Sequence, residues 1–268
     1  MTATQTRNRL VQYLANGGEK REPLRALLKD IADGLSGSVI FGGMIRDFGL
    51  GYARFFRSDI DIVTMSTSAE IYSLIKQFDP IRNKFGGFRF SESGRLFDIW
   101  SFYDTWAIRE GHVNGKALDD LCKTTFFSLD AAIFRLQQQS LTATQDYEKI
   151  LMERVLGINL GVHPFPDKIA LRAIQMAVSK DLFVAPNLCE FIIRNLRDSQ
   201  LDAGCRSFVD SAKCHLRHFP ERNFKYGVQL SIWPEIYNSS KGCPAAKAKQ
   251  SKRIAACAHN RLAAIEEV

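Results

Sequence analysis

The sequence predicts an α+β protein in which strands lie early in the chain and helices lie late. Over the first hundred residues, short apolar segments are bounded by glycines and several alternate with period two, which is typical of strands. Beyond Leu118 the pattern becomes helical. The segments that show it are residues 126–136, 147–157 and 167–183. We therefore expect a mixed α/β domain over residues 1–125 and a helical domain over residues 126–268, which ends in a basic segment.

The first predicted elements lead into a glycine turn. Residues 22–35 predict a helix, because Pro23 suits a first helical turn and four apolar residues then fall on one face. These apolar residues are Leu24, Leu27, Leu28 and Ile31. Residues 38–41 predict a short strand that runs into Gly42 and Gly43, and a short helix follows from Met44.

A capped helix and a hairpin are predicted further along. Thr67–Glu70 has the form of a capping box and predicts a helix that continues to Phe78. Residues 85–90 and 95–102 have strand character on either side of a short polar segment, and Gly94 suits the turn between them.

Composition and charge narrow the class of protein. The chain has 268 residues, of which 46% are hydrophobic and 24% charged, as in ordinary globular proteins. No apolar run reaches the length of a membrane span, and the first residues lack a secretory signal, so we expect a cytoplasmic protein without a membrane partner. The six cysteines show no disulfide framework. The formal net charge of +7 favours a polyanionic partner such as nucleic acid.

Two aspartates share one face of a predicted strand over residues 59–64. Because side chains alternate along a strand, Asp59 and Asp61 project to one side. Two such charges about 5 Å apart repel by roughly 3 kcal/mol at an effective dielectric constant of about 20. Protonation, a basic neighbour or a metal ion must offset this repulsion. Asp98 lies in the middle of another apolar strand, and three aspartates on neighbouring strands could hold two Mg²⁺ ions for phosphoryl transfer.

The alternative interpretation is structural. Asp59 and Asp61 could lie on a solvated edge strand, and Asp98 could form an ordinary salt bridge. The glycine turn upstream favours the metal interpretation, since Gly42 and Gly43 would let backbone N–H groups approach a phosphate.

The order of these motifs resembles the nucleotidyltransferase superfamily with a polymerase β-like palm. It is most similar to the class II tRNA nucleotidyltransferases (CCA-adding enzymes) and bacterial poly(A) polymerases, over roughly residues 25–190. The residues that carry the resemblance are Gly42, Gly43, Met44, Ile45, Arg46, Asp47, Asp59, Ile60 and Asp61. The strand with Asp98 matches the one that supplies the third carboxylate of that family.

The resemblance implies further nucleotide contacts. It assigns Arg46 and Asp47 to the site and Asp130 to a position where the family has asparagine. It also places Asp167 and Arg172 on a helix that reads the incoming base. Asp167 lies one residue from the family position, and Ile169 and Gln175 stand where the family has arginines.

The implied reaction is a template-independent transfer of a nucleoside monophosphate from an NTP or dNTP, with two Mg²⁺ ions (or Mn²⁺) as cofactors. The expected acceptor is the 3′-OH of an oligonucleotide or of another nucleotide, which would make a short oligonucleotide of the kind used as a signal in anti-phage defence. Three alternatives stay open at this point. They are modification of a tRNA-like or other RNA 3′ end, nucleotidylation of a protein hydroxyl, and a non-catalytic nucleic-acid-binding module.

Overall fold

The computed structural model describes residues 1–16, 18–56 and 58–196, together with residues 206, 209, 210, 212–214 and 216. The chain divides into two compact units, the first formed by Met1–Met152 with Asn159–Val162 and the second by Glu153–Ile158 with His163–Val268. The basic segment expected near the end of the chain, residues 241–261, lies outside the described residues.

A seven-stranded sheet organises the first unit. Its strands are β1 (Val39–Phe41), β2 (Ile60–Thr64), β3 (Ile81–Arg82), β4 (Phe88–Glu92), β5 (Arg95–Ser101), β6 (Ala132–Arg135) and β7 (Ser140–Ala143). Their order across the sheet is β3-β4-β5-β2-β1-β6-β7. Strands β2 and β5 run parallel and every other neighbouring pair runs antiparallel.

Helices surround this sheet and make up most of the described part of the second unit. The first unit contains α1 (Ala3–Ala15), α2 (Glu22–Gly34), α3 (Gly43–Gly49), α4 (Ser68–Ile75), α5 (Trp106–Arg109) and nearly all of α6 (Tyr147–Glu153). The second unit contains α7 (Pro166–Lys180), α8 (Pro186–Asn195) and a small parallel pair of strands, β8 (Val155–Leu156) and β9 (Phe183–Val184). Among the described residues, no helix combines the length and the apolar character needed to span a membrane.

One face of the sheet is buried along its central strands. Ile40, Ile62 and Ile99 pair side by side across β1, β2 and β5, and none of the three is exposed to solvent. The next residue of each strand points to the opposite face, where the aspartates lie. The aspartate face also carries fully buried residues, Val39, Val63 and Ile133, so the aspartates lie beside a second apolar cluster.

The structure confirms the predicted α+β class and most early elements. Helix α2 begins at Glu22 with Pro23 in its first turn, and α4 is capped reciprocally by Thr67 and Glu70. Strands β4 and β5 form the predicted hairpin. Its two turn residues, Ser93 and Gly94, both have positive φ, as a tight two-residue turn requires.

The prediction of a helix over residues 126–136 was wrong. A short 3₁₀ turn (Ser128–Asp130) is followed by β6, which pairs with β1 on one side and β7 on the other. A short, fully apolar run such as residues 131–134 fits a buried strand as well as a buried helix, and its long-range partners decide. Because β6 and β7 belong to the sheet, the first unit extends to Met152 rather than ending near residue 125.

Helix α1 was not predicted. Its signal is present in the sequence, since Thr2 and Gln5 form a capping box and the helix buries Leu10 and Tyr13.

Candidate active site

Three aspartates lie on one face of two neighbouring strands. Asp61 in β2 is the direct partner of Asp98 in β5, and Asp59 lies immediately before β2, two residues ahead of Asp61. Residues paired across strands, and residues two apart along a strand, project to the same side of a sheet. The structure therefore brings together the three carboxylates that the sequence singled out.

Arg89 completes this row and was missed by the sequence analysis. It is the antiparallel partner of Asp98 across β4 and β5. Its Nε donates to Asp98 Oδ1 at 3.0 Å, and its Nη2 contacts both Asp98 Oδ2 and, at 3.2 Å, Asp59 Oδ2. The hydrogen bond and charge of Asp98, with smaller contributions from Asp59 and Asp61, raise the pKa of the Arg89 guanidinium. A basic neighbour thus offsets the repulsion among the carboxylates.

The donor chemistry of this face suits a hard divalent cation. Carboxylate oxygens are the ligands that Mg²⁺ prefers, and three such groups share one face here. Within residues 1–16, 18–56 and 58–196, however, no group of three or more His, Cys, Asp or Glu side chains is spaced to hold a metal ion as it stands. Arg89 contacts two of the three carboxylates instead. Carboxylate is the type of ligand that such an ion prefers, and an ion bound here would share Asp59 and Asp98 with Arg89.

The glycine turn lies next to the carboxylates. Phe41, the last residue of β1, pairs directly with Asp61, so the following Gly42 leaves the sheet beside the start of β2. Gly42 has φ +66° and ψ −114°, a conformation that side chains disfavour, and helix α3 begins at Gly43. A Cβ placed on Gly42 would meet no atom within 4 Å, so there is open space beside the turn, and the Gly42 N–H donates to the Ala132 carbonyl at 3.5 Å.

Arg46 and Asp47 lie inside the protein below this turn. Both side chains are about 95% buried, and Arg46 Nε donates to Asp47 Oδ1 at 2.9 Å. Arg46 Nη1 donates to Asp130 Oδ1 at 2.6 Å, and Asp130 itself is only 13% exposed. The Arg46 guanidinium also lies against Gly43, 3.4 Å from where a Cβ would stand. The structure thus joins three residues expected at the nucleotide into one buried ion-pair cluster.

Electrostatics keep this cluster charged. Burial opposes the charge of Arg46, but the carboxylates of Asp130 and Asp47 outweigh burial and raise its pKa. Burial, together with the negative charge of Asp130, raises the pKa of the nearby Tyr147, whose hydroxyl donates to the Leu129 carbonyl at 3.3 Å. The neighbourhood of Asp130 therefore favours a positive partner, and Arg46 supplies it.

Two aromatic side chains border the carboxylates on the same face. Phe41 precedes the glycine turn and is adjacent to Asp61, and Trp100 follows Asp98 by two residues. Their rings meet edge to face with centroids 6.1 Å apart, and both are partly exposed. Trp100 is fixed by a hydrogen bond from its Nε1 to Thr105 Oγ1. The acidic face thus has a rigid aromatic wall.

Asp167 and Arg172 lie in the second unit, on helix α7. Asp167 is in the first turn of the helix and is partly buried, whereas Arg172 is exposed one turn later. The charges of both residues influence the pKa of His163, a residue that the sequence analysis did not single out. Burial, and to a smaller extent the charge of Arg172, lower the pKa of the His163 imidazole, against the opposing effects of a hydrogen bond with the Phe165 backbone and of Asp167. His163 Nδ1 accepts a hydrogen bond from the Phe165 N–H at 3.1 Å, which fixes the ring just before the helix.

Comparisons with known proteins were made by sequence and by structure. No family model matches the sequence, and no curated protein matches it significantly. Solved structures do match. One is a tRNA-processing enzyme complex, with 14% identity and a TM-score of 0.50 over 83% of this chain and 58% of that one. Another is the CCA-adding enzyme of Bacillus stearothermophilus in complex with CTP, with 14% identity and a TM-score of 0.50 over 72% of this chain and 48% of that one.

A third match is a CCA-adding enzyme with CTP, with 16% identity and a TM-score of 0.51 over 92% of this chain and 72% of the other. The chain spans about half the length of the first two of these structures. At such low identity the similarity establishes the fold alone. The chain therefore shares the fold of these CCA-adding enzymes, as the resemblance of its glycine and aspartate motifs predicted.

Proposed function

We propose that the chain is a nucleotidyltransferase that moves a nucleoside monophosphate from an NTP or dNTP to a hydroxyl group and releases pyrophosphate. One observation carries this proposal. Asp59, Asp61 and Asp98 share a sheet face beside the positive-φ turn at Gly42, so cation ligands and a side-chain-free approach for phosphate lie next to each other. The fold shared with CCA-adding enzymes supports it.

The three aspartates would hold two Mg²⁺ ions. Asp59, Asp61 and Asp98 would supply the carboxylate oxygens that hold these ions. Bound Mg²⁺ lowers the pKa of an acceptor hydroxyl and neutralises charge on the triphosphate. The carboxylates fix the positions of the reacting groups, which supplies the alignment that in-line displacement needs.

The remaining site residues divide into two groups. Gly42 and Gly43 give the β- and γ-phosphates access to the backbone, and the buried Arg46, Asp47 and Asp130 hold that turn in place from below. Asp167 and Arg172 on α7 are proposed to face the base.

The proposed acceptor is the 3′-OH of an oligonucleotide or of a second nucleotide. A second candidate is the 3′ end of a tRNA-like RNA. It is favoured by the neighbouring structures, which are described as tRNA-processing and CCA-adding enzymes. The net charge of +7 suits either acceptor, since both are polyanions. The length of the product would distinguish between these two candidate acceptors.

The test incubates the purified protein with Mg²⁺ and each labelled NTP and dNTP, alone and with tRNA, short RNA or single-stranded DNA. Pyrophosphate release is measured and products are sized on denaturing gels. We expect turnover that Asp61→Asn and Asp98→Asn reduce by roughly a thousand-fold or more, because each removes a ligand charge. Asp79→Asn, the same change at an exposed residue between α4 and β3, is the matched control.

Two results would count against the proposal. One is a folded protein that releases no pyrophosphate with any nucleotide and acceptor, which would favour the binding-module alternative or an acceptor on a protein. The other is an Asp98→Asn variant with the same turnover as the parent protein, which would show that the carboxylate face takes no part in the reaction.

A further inference from the structure

Arg89 occupies the carboxylate oxygens that a metal ion needs. Both oxygens of Asp98 are engaged by this one guanidinium, Oδ1 by Nε and Oδ2 by Nη2. The same Nη2 also reaches Asp59. A cation that binds Asp98 therefore shares these two oxygens with a positive guanidinium, and the two positive charges repel each other.

The backbone of Arg89 is held firmly while its side chain is free to leave. Its neighbours in β4, Phe88 and Phe90, are buried on the opposite face of the sheet, and Arg89 pairs with Asp98 in the ladder. The side chain itself is 53% exposed. A long, half-exposed side chain has room to turn into solvent, whereas the backbone of the strand that carries it is held by its pairing and its buried neighbours.

The charge balance explains why such a residue is useful. Three carboxylates share this face, and without a cation their mutual repulsion would push the side chains apart. Arg89 contacts both Asp59 and Asp98 and so offsets the repulsion between them. It does so as a single positive charge with fixed geometry, which a divalent ion with closer contacts can displace.

We propose that Arg89 is a displaceable internal cation that sets the affinity of the carboxylate face for divalent metal, acting through Asp98 and Asp59. It is a positioning residue for the site and rests on the metal site assumed in the proposed function. Since Asp98 is the carboxylate that it engages bidentately, the ion bound by Asp98 is the one whose binding it opposes.

The test measures metal binding without nucleotide. Mn²⁺ is titrated into the full-length protein, and the free ion is followed by electron paramagnetic resonance. We expect Arg89→Gln to bind Mn²⁺ about ten-fold more tightly than the parent, because a competing positive charge is gone. Arg82→Gln, the same change at an exposed arginine on neighbouring β3, should leave the affinity unchanged. Arg89→Lys keeps the charge without the bidentate geometry, so its affinity for Mn²⁺ should lie between that of the parent protein and that of Arg89→Gln.

A second measurement separates competition from a structural effect. In an Asp98→Asn background, Arg89→Gln should no longer tighten Mn²⁺ binding, because the carboxylate through which Arg89 acts is absent. Unchanged or weaker binding in Arg89→Gln and Arg89→Lys, an equal gain in Arg82→Gln, or no Mn²⁺ binding by any variant overturns the proposal. Tighter binding without nucleotide transfer would leave this inference standing and count against the proposed function alone.

Discussion

Arg46 and Asp130 form a buried ion pair between segments 84 residues apart in the chain, with 2.6 Å between Nη1 and Oδ1. Arg46 belongs to the helix that follows the glycine turn, and Asp130 ends the 3₁₀ turn that leads into β6. The pair therefore ties the glycine turn to the neighbouring strand β6.

Breaking this pair should destabilise the fold strongly. Arg46→Met leaves the carboxylates of Asp47 and Asp130 buried without a partner, and we expect a loss of about 3–5 kcal/mol in the free energy of unfolding, measured with urea. Adding Asp130→Asn should recover part of the loss, since one uncompensated charge is removed. Arg109→Met, which breaks an exposed pair with Glu110, should cost no more than about 1 kcal/mol. Equal losses for Arg46→Met and Arg109→Met would contradict the assignment.

The two turn glycines should respond differently to alanine. A Cβ on Gly42 would meet no atom within 4 Å, so the cost of Gly42→Ala comes from its positive φ alone and should be about 1–3 kcal/mol. Gly43 has helical geometry, and its Cβ would make ordinary contact with Arg46, so Gly43→Ala should change stability by less than about 1 kcal/mol. Thermal unfolding of both variants measures this difference, and a larger loss for Gly43→Ala would refute it.

The buried thiols should be inert in the folded protein. Burial raises the pKa of Cys122 to about 11 and that of Cys189 to about 12, whereas Cys214 is exposed. At pH 8 we expect iodoacetamide to modify Cys214 quickly and the other two only after denaturation, as followed by peptide mass spectrometry. Because the fold favours the neutral Cys122 thiol, its contribution to stability is present below pH 9 and is lost as pH rises from about 9 to 11. Rapid native labelling of Cys122 would disprove this.

The imidazole of His163 should titrate below the ordinary value of 6.5. Burial and Arg172 disfavour the charged ring, so Arg172→Gln should raise the pKa and Asp167→Asn should lower it further, as measured by NMR titration. The fold favours the neutral ring, and stability should therefore decline as pH falls below 6.5, where the unfolded chain binds the proton more readily. A midpoint at or above 6.5 in the parent protein would show that His163 is not buried as described.

Much of the candidate site could be predicted from local sequence. Strand alternation placed Asp59 and Asp61 on one face, and the position of Asp98 within a hairpin brought it to the same face. The pairing of Asp98 with Arg89 could also have been predicted from the sequence. A two-residue turn at Ser93 and Gly94 pairs Glu92 with Arg95, and counting outward from there pairs Arg89 with Asp98.

Other features depend on contacts that local sequence does not encode. The apolar run that forms β6 suits a helix or a strand, and only its pairing with β1 decides between them. The interior position of Arg46 depends on Asp130, far along the chain. An Arg-Asp pair after a glycine turn is equally compatible with a phosphate ligand and with a buried support.

The row formed by Phe41, Asp61, Asp98 and Arg89 crosses four adjacent strands, each residue paired directly with the next. The spacing of these side chains is therefore inherited from backbone pairing, in which a slip of one residue turns a side chain to the opposite face. Lineages that keep this chemistry should accept many substitutions around the row but almost no insertions or deletions between Arg89 and Asp98. The connection from α4 to β4 is not subject to this constraint, so insertions and deletions should be tolerated there.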